Sequence, residues 1–397
     1  MQRSNRCAQQ NPLPLYARRM PPATWRSDLS VPTRHSVWWV ADTLHRDGTC
    51  WREALEGLEG NCVAFIDSGV SAAWPGLAER LHAVVKQAAP HLTLRAVDTM
   101  PGGEPCKDGL HHAERVARAC FDHGVSRRGC VIAIGGGAVL DAAGFGASMA
   151  HRGVPLVRVP TTTLAQDDSA MGVKSGVNAF NQKNALGAFG APHAVICCER
   201  LLTTLPLEHW LGGFSEAVKI ALLKDPDLLA QLERTAPAIR ARDMAAAQPV
   251  IRRSAELHRE HILRGGDPFE QGSARPLDHG HWAAHRLEAM SAWQVPHGQA
   301  VAIGIALDAC IATEMGMLEP AMRDRILHLL HALGLPTNHS LLQPVDRLLA
   351  GLEQFRQHLG GSLAIPLITQ PGSFQETHQM PAEAVTAAVS MLARHAV

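Results

Sequence analysis

Net charge is the first thing this 397-residue sequence lacks: 37 acidic side chains balance 37 basic ones. A neutral chain offers no basic face to a nucleic-acid backbone and no attraction to an anionic membrane, so any phosphate must be recognised by a few placed cations. No long apolar run of the kind a membrane-spanning helix needs is present. The opening stretch, MQRSNRCAQQNPLPLYARRM, has no apolar core and does not read as a secretory signal. Residues 1–30 are expected to form a flexible extension. The nine cysteines are odd in number, irregularly spaced and without a C-x-x-C pair, which argues against a zinc ribbon or a disulfide framework. They read as small buried residues of a reduced, cytoplasmic protein. Internal repeats and low-complexity tracts are also missing.

What is present is enough apolar residue, 46%, to bury sizeable cores, in a chain long enough for two domains. The first half alternates apolar runs, SVWWVAD (36–42), NCVAFIDSG (61–69), LTLRAVDT (92–99), GCVIAIGGG (129–137) and PLVRVPTTT (155–163), with helical stretches at 74–88 and 111–124. That alternation predicts a parallel sheet with helices on both faces. From about Pro206 helical periodicity takes over. The expected α/β fold therefore has an N-terminal sheet domain over 31–205 and a C-terminal all-helical domain over 206–397, with the cleft between them as the ligand site.

Several loops in this frame carry polar chemistry. Gly135-Gly136-Gly137 lies between a strand and a helix, where small residues let the backbone approach a phosphate and the helix N-terminus offers free N–H groups. Asp141 stands in the first turn of that helix. Asp67 ends one strand, and Glu104 and Lys107 follow another, suited to ribose hydroxyls and to phosphate. The segment at 160–190 interleaves Asp168, Lys174, Lys183 and Asn184 with apolar residues and reads as ligand-binding rather than as a linker. Further on, His281 and His285 share one face of a helix, His297 starts the next helix and Glu216 lies near the beginning of another. Three N/O ligands with an open position suit a catalytic metal that polarises substrate oxygens. The spacing does not choose between His281 and His285.

Taken together, GGGAVLD, PTTTLAQDDSAMGVKSGVN, QKNALGAF, GGFSEAVK, GHWAAH and HGQAVAIG resemble, in order and spacing, the sugar phosphate cyclase superfamily typified by 3-dehydroquinate synthase, over residues 60–365. The resemblance implies a Rossmann-like NAD-binding domain followed by a helical metal-binding domain, and a homodimer. It implies Zn2+ or Co2+ on Glu216, His281 and His297, with His285 left as an acid/base or phosphate neighbour. Substrate contacts carry over to Asp168, Lys174, Asn184, Lys219, His285 and Arg152, the last shared across the dimer; Lys183 carries over to both substrate chemistry and cofactor. Cofactor contacts carry over to Glu104, Lys107, Gly136, Gly137, Asp141, Thr161, Thr162 and Thr204, beside Asp67, which its place at a strand end already suggests. The implied chemistry is transient oxidation by NAD, phosphate elimination, reduction and an intramolecular aldol that closes a carbocycle.

Three departures bear on the substrate. The positions at which dehydroquinate synthases hold a substrate carboxylate fall here near Glu260, at Ala274 beside Arg275, and at Asp278. An acidic residue there repels a carboxylate. GLEQFRQHLGGSL (351–363), with His358, is similar instead to cyclases of sedoheptulose 7-phosphate, whose substrate has no carboxylate. The expected substrate is therefore sedoheptulose 7-phosphate. The alternatives are 3-dehydroquinate synthase itself, a metal-dependent NAD(P) polyol dehydrogenase of related fold, or a silent binding protein on the same scaffold.

Overall fold

Parallel strands buried on both sides can be apolar throughout, and the apolar runs of the first half form such strands. The computed structural model describes residues 25–27, 32–43, 48–180, 182–265, 276–358 and 363–394, apart from the side chains of Gln354, Gln357 and His358. The extension expected at 1–30 lies almost wholly outside these, as do Ala274 and Arg275. Residues His35–Val397 make one compact unit.

Its main sheet is built from β1 (Val37–Val40), β2 (Gly60–Asp67), β3 (Leu92–Met100), β4 (Cys130–Gly135) and β5 (Leu156–Pro160), joined by a strand that the sequence reading did not include, β8 (Ala194–Cys198). The strand order is β1-β8-β5-β4-β2-β3, parallel throughout. From β2 the chain steps to β3 on one side and, after crossing back, from β4 it steps to β5 on the other, so the order reverses between β2 and β4. Ligands of such sheets bind beyond the strand ends at that reversal. Asp67 ends β2 and Gly135 ends β4; a Cβ on Gly135 would lie 3.1 Å from the Asp67 Cβ.

The polar segment at 160–190 is not a loop. A wide helical turn at Ala165–Ser169, closed by Ala170 N–H donating to Ala165 O at 3.0 Å, leads into an antiparallel hairpin. Its strands are β6 (Lys174–Ala179) and β7 (Gln182–Phe189), paired Lys174 to Phe189 and Ala179 to Gln182. The buried Arg158 of β5 pins this segment, donating to the carbonyls of Gly172 (2.7 Å) and Lys174 (2.8 Å) and to Ser175 Oγ (3.0 Å).

The second half packs the helices Leu207–Lys224, Pro226–Arg240, Met244–Arg264, His281–Met290, His297–Glu314, Pro320–Leu333, Val345–His358 and Ala382–Arg394 around one core that includes Trp210, Phe214 and Trp282. It is mostly but not wholly helical. The β-branched run at β9 (Ile365–Gln370) pairs with β10 (Ser373–Thr377), the two joined through Gly372 at φ 81°. No helix among the described residues is long and apolar enough to cross a membrane.

Candidate metal and cofactor site

Glycines bring the metal-binding candidates together. A Cβ on Gly298 would stand 2.2 Å from Gly212 O, and one on Gly304 2.0 Å from Gly280 O. The helices Leu207–Lys224 and His297–Glu314 thus touch backbone to backbone one turn before Glu216 and beside His297. Gly280, at φ 79°, starts the helix that opens on His281. Buried Asp308 fixes that start, accepting from Gly280 N–H at 2.8 Å and from Trp282 Nε1 at 2.7 Å.

At this junction Glu216 Oε1 lies 3.6 Å from His281 Nε2 and 3.7 Å from His297 Nε2. These spacings are too long for hydrogen bonds. They suit atoms sharing one ion, since two ligands at about 2.1 Å in tetrahedral geometry stand about 3.4 Å apart. His281 Nδ1 lies 3.1 Å from His279 O, which places the proton on Nδ1 and leaves the Nε2 lone pair facing inward. Burial, with Lys219 and the neighbouring histidines His285 and His297, holds the His281 pKa well below the usual value, so the ring is neutral as a ligand must be. His285 is not part of this group and shares a second cluster with Glu288 and His297. The geometry therefore makes the choice that spacing left open. The donor set fits a divalent ion at Glu216, His281 and His297.

Lys219, buried one helical turn after Glu216, forms an ion pair with its other oxygen. Burial alone would lower the Lys219 pKa, but Glu216 and Asp168 outweigh it and raise it. Asp278 adds a smaller contribution in the same direction. Asp168 is 2.8 Å from His258 Nδ1. Burial opposes its ionisation, yet His258 and Lys219 depress its pKa. Asp167, next to it, is 1% exposed. Burial and the charges of Asp168 and Glu216 push it the other way, well above the carboxylate range.

A chain of charges runs from this centre to the expected cofactor residues. Lys183 Nζ, on β7, is 2.5 Å from Glu288 Oε1 and 3.6 Å from Glu104 Oε1. Glu104 accepts from Asn178 Nδ2 at 2.8 Å. Asn184, at φ 52°, accepts from Lys107 Nζ at 2.5 Å, and Lys107 donates to Asp141 Oδ2 at 2.6 Å. A Cβ on Gly137 would fall 2.7 Å from Ser169 Oγ. The buried hydroxyls of Ser169 and Thr161 have no partner among the described residues. Free donors, glycine backbone and the start of the helix Gly137–Met149 fit a pyrophosphate.

The remaining candidates take other positions. Asp67 caps Gly69 N–H at 2.8 Å, Thr162 Oγ1 accepts from Ala165 N–H at 3.0 Å, and Thr204 Oγ1 accepts from Trp74 Nε1 at 2.9 Å. Lys174 begins β6 on an exposed position. Arg152 is not brought to the site: it follows the far end of the helix from Gly137 to Met149, about 20 Å along the axis. It lines a surface hollow with Ser126, Arg127, Met149 and His151. The side chain of His358 lies outside the described residues. Glu288, Asp167 and His258 are site residues that sequence reasoning missed. Only Glu288 carried a signal, three residues after His285 and seven after His281 on the same helical face.

Residues 97–211 match the 3-dehydroquinate synthase N-terminal family and residues 213–356 the 3-dehydroquinate synthase C-terminal family. The chain is 36% identical over 299 residues to 3-dehydroquinate synthase of Xylella fastidiosa strain M23, covering 74% of this chain and 80% of that protein. Its match to 3-dehydroquinate synthase of Ruegeria pomeroyi is 36% over 304 residues, covering 75% and 81%. Among solved structures, the 2-epi-5-epi-valiolone synthase ValA of Streptomyces hygroscopicus subsp. jinggangensis, with NAD+ and Zn2+ bound, superposes with a TM-score of 0.85 at 27% identity, covering 94% of this chain and 100% of that one. A 2-deoxy-scyllo-inosose synthase complexed with carbaglucose-6-phosphate, NAD+ and Co2+ shares the fold, with a TM-score of 0.75 at 22% identity over 91% and 96%. The chain belongs to the 3-dehydroquinate synthase family of sugar phosphate cyclases.

Proposed function

We propose that this protein is an NAD- and metal-dependent cyclase of a seven-carbon sugar phosphate without a carboxylate, of the sedoheptulose 7-phosphate class. The observation that carries the substrate choice is Asp278, whose charge reaches Lys219 beside the metal ligands. A carboxylated substrate would meet a negative charge there instead of a donor. The second reading, 3-dehydroquinate synthase, is favoured by the identity to the Xylella and Ruegeria enzymes.

When bound, NAD would take and return a hydride, and Zn2+ or Co2+ on Glu216, His281 and His297 would act as a Lewis acid. The chain's own residues do the rest. Glycine backbone at Gly136 and Gly137, with Thr161, holds pyrophosphate, while Asp67, Glu104, Lys107 and Asp141 orient the nucleotide. Lys174, Lys183, Asn184 and Lys219 hold substrate oxygens, and Asp168 accepts a hydroxyl. His285, next to the ligands but not among them, is placed to move a proton. Arg152, about 20 Å along its helix from Gly137, serves a partner's site in a homodimer.

The test is to supply purified protein with NAD+ and Zn2+ and either sedoheptulose 7-phosphate or the carboxylated seven-carbon sugar phosphate of the shikimate route. Phosphate release from the first alone, without accumulation of NADH, supports the proposal. Release from the carboxylated sugar alone replaces it with dehydroquinate synthesis, and accumulating NADH replaces it with a dehydrogenase.

A further inference from the structure

We propose that Glu288 is the positioning residue of the metal centre: it orients His297 and, through Lys183, sets how tightly the ion is held. This rests on the reading above in one respect, that Glu216, His281 and His297 hold an ion.

Glu288 is 1% exposed, and its Oε1 meets groups from two other elements. His297 Nδ1, at the first residue of the next helix, is 3.2 Å away, and Lys183 Nζ, from the hairpin, is 2.5 Å away. The pair is close but not aligned as a hydrogen bond, and His297 Nδ1 has no hydrogen-bond partner among the described residues; a small turn of the ring puts its proton on the carboxylate, leaves Nε2 free to face Glu216 and raises the basicity of the ligand. His281 takes its orientation from a neutral carbonyl, whereas His297 takes it from a charge.

Lys183 is itself held on Glu288. Its ammonium lies 5.8 Å from the centre of the Trp293 ring, within the range of a cation–π contact. Trp293 and the preceding Ala292 both have left-handed backbone, φ 65° and 50°, a conformation that costs non-glycine residues free energy. Trp293 N–H donates to Glu288 O at 2.9 Å and so closes the helix that carries Glu288. Lysine and imidazole thus compete for one carboxylate oxygen. The ammonium withdraws negative charge from His297, so removing it strengthens the ligand.

The test is a titration of Co2+ into metal-stripped protein against a competing chelator, followed by cobalt absorption. Its panel is wild type, E288Q, K183M, the double variant K183M/E288Q, and H285A. Wild type binds, E288Q binds about 10- to 100-fold more weakly, and K183M binds more tightly than wild type. The double variant matches E288Q, because Lys183 acts only through Glu288. H285A stays close to wild type. Affinity of E288Q within about threefold of wild type overturns the inference, and so does tightening by K183M in the E288Q background. A loss in H285A as large as in E288Q also overturns it, by making Glu288 a direct ligand beside His285. Failure of the wild type to bind cobalt refutes the metal centre itself, an outcome separate from failure of E288Q to differ. K183M predicts a gain rather than a loss, so the inference stays testable where E288Q fails to fold.

Discussion

On the proposed reading, Asp278 turns a single side chain into a substrate filter. Its charge adds to those of Glu216 and Asp168 in holding Lys219 protonated, and the same field opposes a second anion in the pocket. Replacing it by asparagine keeps the volume and removes the repulsion. D278N is expected to shift the ratio of kcat/KM values toward the carboxylated sugar phosphate by about tenfold, the effect of one modest charge contact. An unchanged ratio in a competition assay would mean that Asp278 does not face the substrate. At this scale the sequence was partly readable. It offered three histidines and a glutamate, and only the resemblance chose His281 over His285; spacing could not, because the convergence of the His281 and His297 Nε2 atoms on Glu216 is tertiary. Asp167 and His258 gave no sign, because their roles depend on burial against segments distant in sequence.

Among the elements, the helix crossing at Gly212 and Gly298 matters most for the site. No flexible side chain absorbs an added methyl there, since it would stand 2.2 Å from a backbone oxygen. G298A must therefore push apart the two helices that carry Glu216 and His297. The expected cost is about 1–3 kcal/mol in denaturant unfolding, with weaker cobalt binding in protein that is still folded. Stability lost with cobalt affinity intact would show that the ligands reseat independently of the crossing. Elements in the first half were legible where a run of β-branched and aliphatic residues stood between turn signals, as in β2 and β4. The hairpin β6–β7 was not, because KSGVNA and QKNALGAF are rich in Gly, Asn and Lys, residues depleted in strands. Their strand geometry comes from pairing with each other and from the guanidinium of Arg158, which satisfies the carbonyls of Gly172 and Lys174. The short β8, AVICC, and the hairpin β9–β10 were hidden by brevity and by the helical signal around them.

Across the whole molecule, titratable groups also tie distant parts of the chain, and His35 allows a test of that tie. It precedes the edge strand β1, and its Nδ1 accepts from Arg259 Nε at 3.2 Å while its carbonyl accepts from Arg259 Nη2 at 3.1 Å, across 224 residues. Burial, then Arg259 and Arg158, lower its pKa from 6.5 to about 4; the hydrogen bonds with backbone that oppose them are weaker. Protonation would cost the bond to Arg259 and set a third cation beside two guanidinium groups. Unfolded, His35 takes up its proton near pH 6.5; folded, it waits until about pH 4. The unfolded chain therefore binds protons first as pH falls. The stabilising contribution is complete above pH 6.5, declines between 6.5 and 4, and is gone below, a total on the order of 3 kcal/mol. His279, lowered to about 4 mainly by burial, adds a parallel decline over the same window. His281 adds to this decline and Asp308, raised to about 7 by burial, opposes it, alike in wild type and in H35Q; in urea unfolding of metal-free protein between pH 4 and 7.5, H35Q should therefore differ from wild type in slope by the His35 share alone. A slope as steep in H35Q as in wild type would place the proton uptake elsewhere and remove His35 from the tie between β1 and the helix Met244–Arg264.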